Sequence, residues 1–398
     1  MTKKSNILPL LIISQFACTS LWFAGNAIID DLAFKIGLGD SIIGFVLSSV
    51  QLGFILGTLI FAVLMIADRF SPSKVFAICA LFAALCNFSL LADSINKWHL
   101  LTARFGTGFF LAGIYPVGMK IASDYYKNGL GNALGYLVGA LVLGTAFPFL
   151  ISGLGWGSNY QTILQTTSIL SLLGGLVVLL FVPNGPFRKQ SSKLKLIAGI
   201  QLFKNPIFSK AALGYFGHMW ELYAFWAFTP LAIKTINNIQ NSSYSVPIYT
   251  FIIIALGALS CVLGGYFSKK YGSYKVAVIA LFISGMCCFI SPLLFQLPPI
   301  LFFIGWCLWG MAVTADSPQF SSLIAQAAPI ELKGTALTIV NSLGFAISIF
   351  SIQLLSTLST KIHTPLIFLL LGIGPFIGLY ALLKKEKRYN SQIKNSKT

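Results

Sequence analysis

An all-α membrane protein of twelve transmembrane helices, arranged as two pseudo-symmetric six-helix bundles, is predicted by three features of this sequence: scarce charge, long apolar runs, and a repeat relating the two halves. Only 9% of the 398 residues are charged and 56% are hydrophobic, whereas a soluble domain carries about 25% charged residues. A water-soluble core cannot hide so much apolar surface. Lipid solvates it if each main-chain polar group is satisfied within helices or a closed barrel. Barrel strands would read as short alternating segments; here the runs, such as 75–92 and 162–182, are long enough to cross a core of about 30 Å as helices.

Span 1 covers 7–29 and follows Lys3 and Lys4. It exceeds a secretory-signal core, lacks an A-x-A site and contains Gln15 and Asn26, so it reads as a span and not as a cleaved leader. Spans 2 and 3, 40–66 and 75–92, flank a short polar loop. Span 4, 98–120, carries Arg104, and span 5, 130–152, carries Gly131, Gly135 and Gly139 at the four-residue spacing of close helix contacts. Span 6 is 161–182. After a basic linker come spans 7 to 12, at 209–233, 246–268, 275–295, 299–325, 334–357 and 364–383. Kinks are expected at Pro116, Pro148, Pro230 and Pro318, which membrane helices tolerate when neighbours re-satisfy the main chain. The division is a first bundle 1–182, a linker 183–208, a second bundle 209–383 and a basic tail 384–398.

Lys and Arg accumulate on the cytoplasmic side only if the spans are counted correctly. With both termini inside, 22 of the 27 basic residues fall on cytoplasmic segments, four on outer segments, and Arg104 alone lies within a span. The net charge of +17 thus sets orientation in an inner membrane and does not point to nucleic acid. Pro183 to Lys210 holds six basic residues and no acid, suited to lying along anionic lipid. The seven cysteines sit in apolar runs without metal-ligand spacing, so neither disulfides, a metal nor a cofactor is expected.

The repeat is strongest between spans. Leu64, Asp68, Arg69, Ser71 and Lys74 correspond at one offset to Gly265, Lys269, Lys270, Gly272 and Lys275, and Gly131 to Leu134 matches Gly334 to Leu337. Parallel repeats of this kind build a central site between two halves. Here the chain resembles the major facilitator superfamily over essentially its whole length. Ala67 to Lys74 is similar to that family's loop after span 2, with Leu64 and Ser71 where two glycines are usual. Arg104 to Gly108 is similar to its span 4 motif, although Phe110 replaces a further glycine. The Gly-Pro pair of the family's proton antiporters is missing from span 5. The resemblance implies a secondary transporter working by alternating access, with Asp68 and Arg69 at a cytoplasmic gate. It also implies a cavity lined by spans 1, 4, 7 and 10.

Charged groups inside a bilayer are costly and usually functional. Far from any span end lie Arg104, Glu221 and Asp316, on spans 4, 7 and 10. His218, Glu221 and Phe225 continue a face from Gly214 at helical spacing, as Thr19, Trp22 and Asn26 do from Gln15, and Tyr115 does from Arg104. Counting rise per residue puts Arg104 near the level of Glu221, so these two are expected to pair across the cavity, Arg104 exchanging Glu221 for an anionic substrate group. Glu221 is the expected proton-coupling residue, His218 sharing its proton, and Asp316, deeper toward the cytoplasm, is assigned to coupling or an inner gate. The expected substrate contacts are Gln15, Trp22, Asn26, Arg104, Tyr115, Trp220 and Trp309. The expected partners are a small-molecule substrate, the proton and membrane lipid, with the chain a monomer.

Segments 113–120 and 217–226 look like a bacterial subgroup of the family often labelled nitrate/nitrite or cyanate type. Its nitrate porters carry an Arg in each of spans 2 and 8, and 40–66 and 246–268 contain none. A small organic solute, with anions among the candidates, is the expectation; the alternatives are an exporter of a metabolite, drug or siderophore, or a transporter-like sensor. No H-E-x-x-H or G-x-S-x-G is present, so an enzyme is not expected.

Overall fold

Apolar runs that must satisfy their own main chain form helices, and the computed structural model is helical along them; it describes residues 7–37, 42–126, 130–155, 159–188 and 195–384. Lys3, Lys4, Lys127, Lys189, Lys193 and the tail from 385 lie outside the described residues. Among the described residues ten helical stretches are long and apolar enough to cross a membrane. The two remaining spans are polar or interrupted ones: Ile7–Thr19 is short, and Pro206–Gln240, at 35 residues, carries His218 and Glu221. The fold is therefore a twelve-helix membrane bundle.

Three spans are broken, two of them at prolines where a kink is expected and one, span 1, without such a signal. Span 1 consists of Ile7–Thr19, Ala24–Ala27 and Ile29–Lys35, span 4 of Lys97–Leu111 and Tyr115–Tyr125, and span 10 of Pro299–Ala315 and Ser317–Ala327. Pro116 and Pro318 each sit in the first turn of the restarted helix, where a missing N–H leaves no bond unmade. They occupy equivalent places in the two halves. In span 1, Thr19 Oγ1 donates to the carbonyl of Gln15 at 2.7 Å and Ser20 Oγ to that of Ala17 at 2.7 Å. Such back-bonding competes with the helical ladder. At Pro148 and Pro230, by contrast, the helices run on without a break.

The repeated loop also diverges. In the first copy Met65 takes a left-handed conformation (φ 53°) and the chain restarts as Ile66–Arg69. In the second, span 8 (Val246–Tyr271) continues until Gly272 turns it at φ 84°, a region glycine enters without strain.

The halves meet along two seams, span 2 (Ile42–Val63) on span 11 (Lys333–Leu358) and span 5 (Leu130–Gly153) on span 8. Ser348 Oγ donates to Gln51 Oε1 at 3.1 Å and Gln353 Nε2 to Ser48 Oγ at 2.8 Å across the first seam; the Tyr136 and Tyr266 hydroxyls are 3.1 Å apart across the second. Within the first half, spans 2 and 4 touch main chain to main chain. A Cβ on Gly108 would fall on the Val50 carbonyl, and one on Gly53 on that of Phe105. Overpacking of this kind costs about 1–3 kcal/mol. Gly108→Ala is accordingly expected to lower the melting temperature of the purified protein, whereas Gly131→Ala, which meets nothing within 4 Å, leaves it unchanged.

Candidate functional site

Aromatic rings from spans 1, 2, 7 and 11 close the centre of the molecule. The Trp22 ring lies 4.9 Å from Phe54, 5.8 Å from Tyr223 and 5.8 Å from Phe345, and Phe54 is 4.7 Å from Phe345. Tyr223 is 5.4 Å from Trp226, which in turn faces Phe23 at 6.1 Å. Stacked and edge-on rings at these separations hold together beyond their area burial. The result is an apolar partition between the halves.

A cavity lies on either side of this partition. Spans 1 and 2 run in opposite directions, so Asn26, one turn beyond Trp22, and Thr58, one turn beyond Phe54, point to opposite ends. Asn26 lines a cavity of about 240 Å³ with Asp30, Asp31, Phe149, Pro230 and Lys234. Thr58 lines one of about 460 Å³ with Pro116, Asp68, Lys120, Glu331 and Thr338. At the first end Lys234 Nζ lies 2.6 Å from Asp30 Oδ2, joining the two halves. At the second, Asp68 pairs with Lys120 of its own half at 2.8 Å, and Arg188 donates to the Asp68 and Phe70 carbonyls at 2.8 Å each. Arg69 is exposed.

Several buried polar atoms around the partition have no hydrogen-bond partner among the described residues: both amide atoms of Gln15, Trp22 Nε1, Asn26 Oδ1, Gln51 Nε2, Trp226 Nε1 and Asn341 Oδ1. Native interiors leave few such groups unless water, an ion or a ligand serves them. They come from spans 1, 2, 7 and 11, on both sides of the interface between halves. Tyr115, half-buried at the start of the second piece of span 4, packs against the same core.

Arg104 is fully buried, and its partners differ from the expected one. Its Nη2 donates to the carbonyls of Leu21 at 3.0 Å and Trp22 at 2.6 Å, and Nη1 to Asn87 Oδ1 at 3.2 Å. These carbonyls lie in the gap of span 1, where the helical ladder leaves them unmet. Gly25 makes room, since a Cβ there would stand 2.8 Å from Arg104 Nε. Asn87 Nδ2 then reaches Leu164, Thr167 and Ser168 of span 6 (Tyr160–Phe181) at 3.0–3.2 Å. The cation ties spans 1, 3, 4 and 6 together.

Glu221 is also fully buried, within the second half. It accepts from Trp309 Nε1 at 2.5 Å, Ser284 Oγ at 2.9 Å and Cys288 Sγ at 3.4 Å, and no Lys or Arg among the described residues is in ion-pair contact with it. The expected Arg104–Glu221 pair is thus replaced by two separate anchorages, one in each half. His218, one turn away, does not bond Glu221; its Nδ1 lies 2.8 Å from Asp316 Oδ1, both side chains wholly buried. Asp316 occupies the break of span 10, enclosed in the second half and not at a gate mouth. The two groups stand at ion-pair distance, but none of His218 Nδ1, His218 Nε2, Asp316 Oδ1 and Asp316 Oδ2 makes a hydrogen bond among the described residues.

The stripe Gly214, His218, Glu221 and Phe225 does form one face of span 7, but that face meets span 10: Gly214 abuts Phe320, and Phe225 stands 4.7 Å from Trp309. Trp309 therefore holds Glu221 instead of lining the centre. Trp220 is also turned away, donating to the Leu370 carbonyl of span 12 at 3.0 Å. The central face is Tyr215, Met219, Tyr223 and Trp226; Tyr215 and Met219 lie against Gly344 of span 11. Gln51, Phe54, Asn341 and Phe345 also belong to the site and were not expected. Their signal was a polar residue one turn from an aromatic on spans 2 and 11, which apolar packing disguises.

Comparison with known proteins agrees with this architecture. The family model described as Major Facilitator Superfamily matches residues 10–352 and, again, 211–398. A curated relative, the "Multi-drug resistance efflux pump PmrA homolog" of Lactococcus lactis subsp. lactis (strain IL1403), is 26% identical over 253 residues, which span 61% of this chain and 60% of that pump. The nucleoside transporter NupG, solved as a point mutant, superimposes with a TM-score of 0.72 at 16% identity, covering 95% of this chain and 99% of its own. The proton:xylose symporter XylE bound to 6-bromo-6-deoxy-D-glucose does so at 0.73 and 14%, covering 96% and 94%. The human organic anion transporter MFSD10 gives 0.71 and 13%, covering 96% and 100%.

Proposed function

The chain belongs to the Major Facilitator Superfamily, and from that premise we propose that it is a proton-coupled secondary transporter of a small organic solute, working by alternating access in a bacterial inner membrane. The observation that carries the coupling is the enclosure of Glu221 and the His218–Asp316 pair in the second half, next to the helix break at Asp316. Ionisable groups at such depth are retained for ion or proton pathways. A break in a helix beside them lets a small rotation change which side they face.

The solute site is the partition, with Tyr223 among its rings, and the unpartnered polar atoms of Gln15, Trp22 and Asn26 from the first half and Trp226 and Asn341 from the second, joined by Tyr115. Arg104 acts on it through span 1, whose gap it holds open beside Trp22. The moving bodies are 1–182 and 209–383, linked by 183–208, with 384–398 as a tail. The distribution of basic residues supports a cytosolic Asp68 end, with Asp68 and Arg69 as the gate of the larger cavity there.

The test is uptake into proteoliposomes under an imposed pH gradient, screening organic solutes with wild type and Arg104→Ala. A panel in which no solute moves faster with the gradient than without it overturns the reading. Export is the second reading, favoured by the efflux-pump relative and by a partition made of rings. Reversing the gradient separates the two, because an exporter accumulates solute only when protons leave the lumen into which it is pumped.

Lys234 and Asp30 form the outer latch. Both are exposed, at 48% and 64%, and exposed pairs contribute about 0–1 kcal/mol. Asp30→Asn is therefore expected to raise labelling of Ala227→Cys from the outer side by about fivefold or less. An unchanged labelling rate removes the latch from the cycle.

A further inference from the structure

Spans 8, 9 (Ser273–Leu294) and 10 leave a groove on the outer surface of the second half, away from the partition. It is an open groove of about 570 Å³, apolar along its length, with Leu263, Phe267, Ile279 and Leu308 among its walls. These side chains are otherwise exposed, Phe267 at 54% and Ile279 at 59%. Its mouth is different. Lys275 lines it, Tyr271 stands beside it, and Lys269 and Lys270 end the neighbouring helix, each above a tyrosine ring. Residues 222–315 contain no acid, so this cluster of charge has no local counter-ion in sequence. It stands where the first copy of the loop keeps Asp68.

We propose that this groove binds one anionic phospholipid, its phosphate at Lys275 with Lys269 and Lys270, and one acyl chain laid along spans 8 to 10. Three observations agree on this occupant. The groove runs from Lys275 to Cys287 along span 9, about 18 Å at 1.5 Å per residue, and one leaflet of hydrocarbon is about 15 Å deep. Its volume of about 570 Å³ falls in the range of sites that take one small molecule or chain. Its basic mouth lies at the helix ends, where basic clusters between spans recognise anionic headgroups. Ordinary annular lipid needs neither the concavity nor the charge. The bound chain would lie against Ala312 and Ala315, the last turn before the break at Asp316, and Gly264 already places span 8 on the Ala315 carbonyl there. A lipid in the groove therefore bears on the span whose break holds Asp316, and this site stands whether or not the proton-coupling reading does.

Native mass spectrometry of the full chain in detergent, with phosphatidylglycerol and phosphatidylcholine added in equal amounts, tests the site. Wild type is expected to retain one phosphatidylglycerol. Lys269→Gln, Lys270→Gln and Lys275→Gln should each weaken retention by about fivefold, the factor one charge is worth near an anionic surface, while Lys361→Gln, on an outer segment, changes nothing. Ala280→Phe, which fills the groove and leaves the lysines intact, should lose the lipid; Leu308→Trp fills it from the exposed rim if the first variant fails to fold. Equal retention of phosphatidylcholine means annular lipid and overturns the proposal. So does wild-type retention in the filled variants, which leaves headgroup attraction alone, or a dimer that the filled variants abolish, which makes the occupant a second copy.

Discussion

Replacing Glu221 with Gln is expected to leave a folded protein that no longer accumulates solute against a gradient. Gln is nearly isosteric: its carbonyl can still accept from Trp309 and Cys288, and its amide can donate to Ser284, whose hydroxyl both donates and accepts. The charge is what disappears. A carboxyl that gains and loses a proton couples each cycle to the pH difference, and each unit of that difference drives about tenfold accumulation per proton. Glu221→Gln should fall to the level reached with the gradient collapsed, while exchange of labelled for unlabelled solute continues. Asp316→Asn separates the two carboxyls. It leaves Glu221 with all three donors but removes the charge facing His218, so a loss confined to one variant identifies the coupling residue. Gradient-driven uptake surviving in both would take the coupling role away from these two carboxyls, and gradient-driven uptake absent from the wild type would end the proton-coupled reading. Loss of exchange as well in Glu221→Gln would instead make Glu221 a packing residue.

Arg104→Ala is expected to be the most destabilising single change in the first half. It strips a buried side chain and leaves the Leu21 and Trp22 carbonyls without their donor, and an unmet buried polar group costs about 1–3 kcal/mol. Together the two are worth about 2–6 kcal/mol, enough to lower the melting temperature visibly and to abolish uptake by letting the gap in span 1 collapse beside Trp22. Lys cannot substitute, because its single ammonium does not fork between Asn87 and two carbonyls. Arg104→Lys should therefore be intermediate in melting temperature. The measurements are thermal unfolding in detergent and uptake in proteoliposomes; an Arg104→Ala protein matching wild type in both would mean that span 1 holds its break unaided.

Arg104 and Glu221 mark the limit of what is legible in the sequence of a helical bundle. Both stand out because charge is rare in apolar runs, and both are wholly buried. Rise per residue puts them at one level along the membrane, which suits a pair. Level is only one coordinate, however. Which way a helix is rotated about its axis decides the partner, and nothing local sets it. Span 7 illustrates this: its polar stripe is a real face, yet it turns to Trp309 and Ser284, and the less polar stripe of Tyr215, Met219 and Tyr223 meets Trp22 and Gly344. The breaks divide in the same way. Pro116 and Pro318 mark restarts visible in the sequence, whereas the gap after Thr19 depends on a guanidinium from another span.

Hydrophobic length, the scarcity of charge and the doubled loop by themselves determined that this chain is a twelve-span bundle of two related halves, because each is a property of consecutive residues against a slab of fixed thickness. Packing alone decided which faces meet, that Arg104 serves span 1 and Glu221 serves span 10, and that rings close the centre. Helix rotation and approach are settled by side chains distant in sequence, through contacts such as Gly108 on Val50 that no window of neighbouring residues contains.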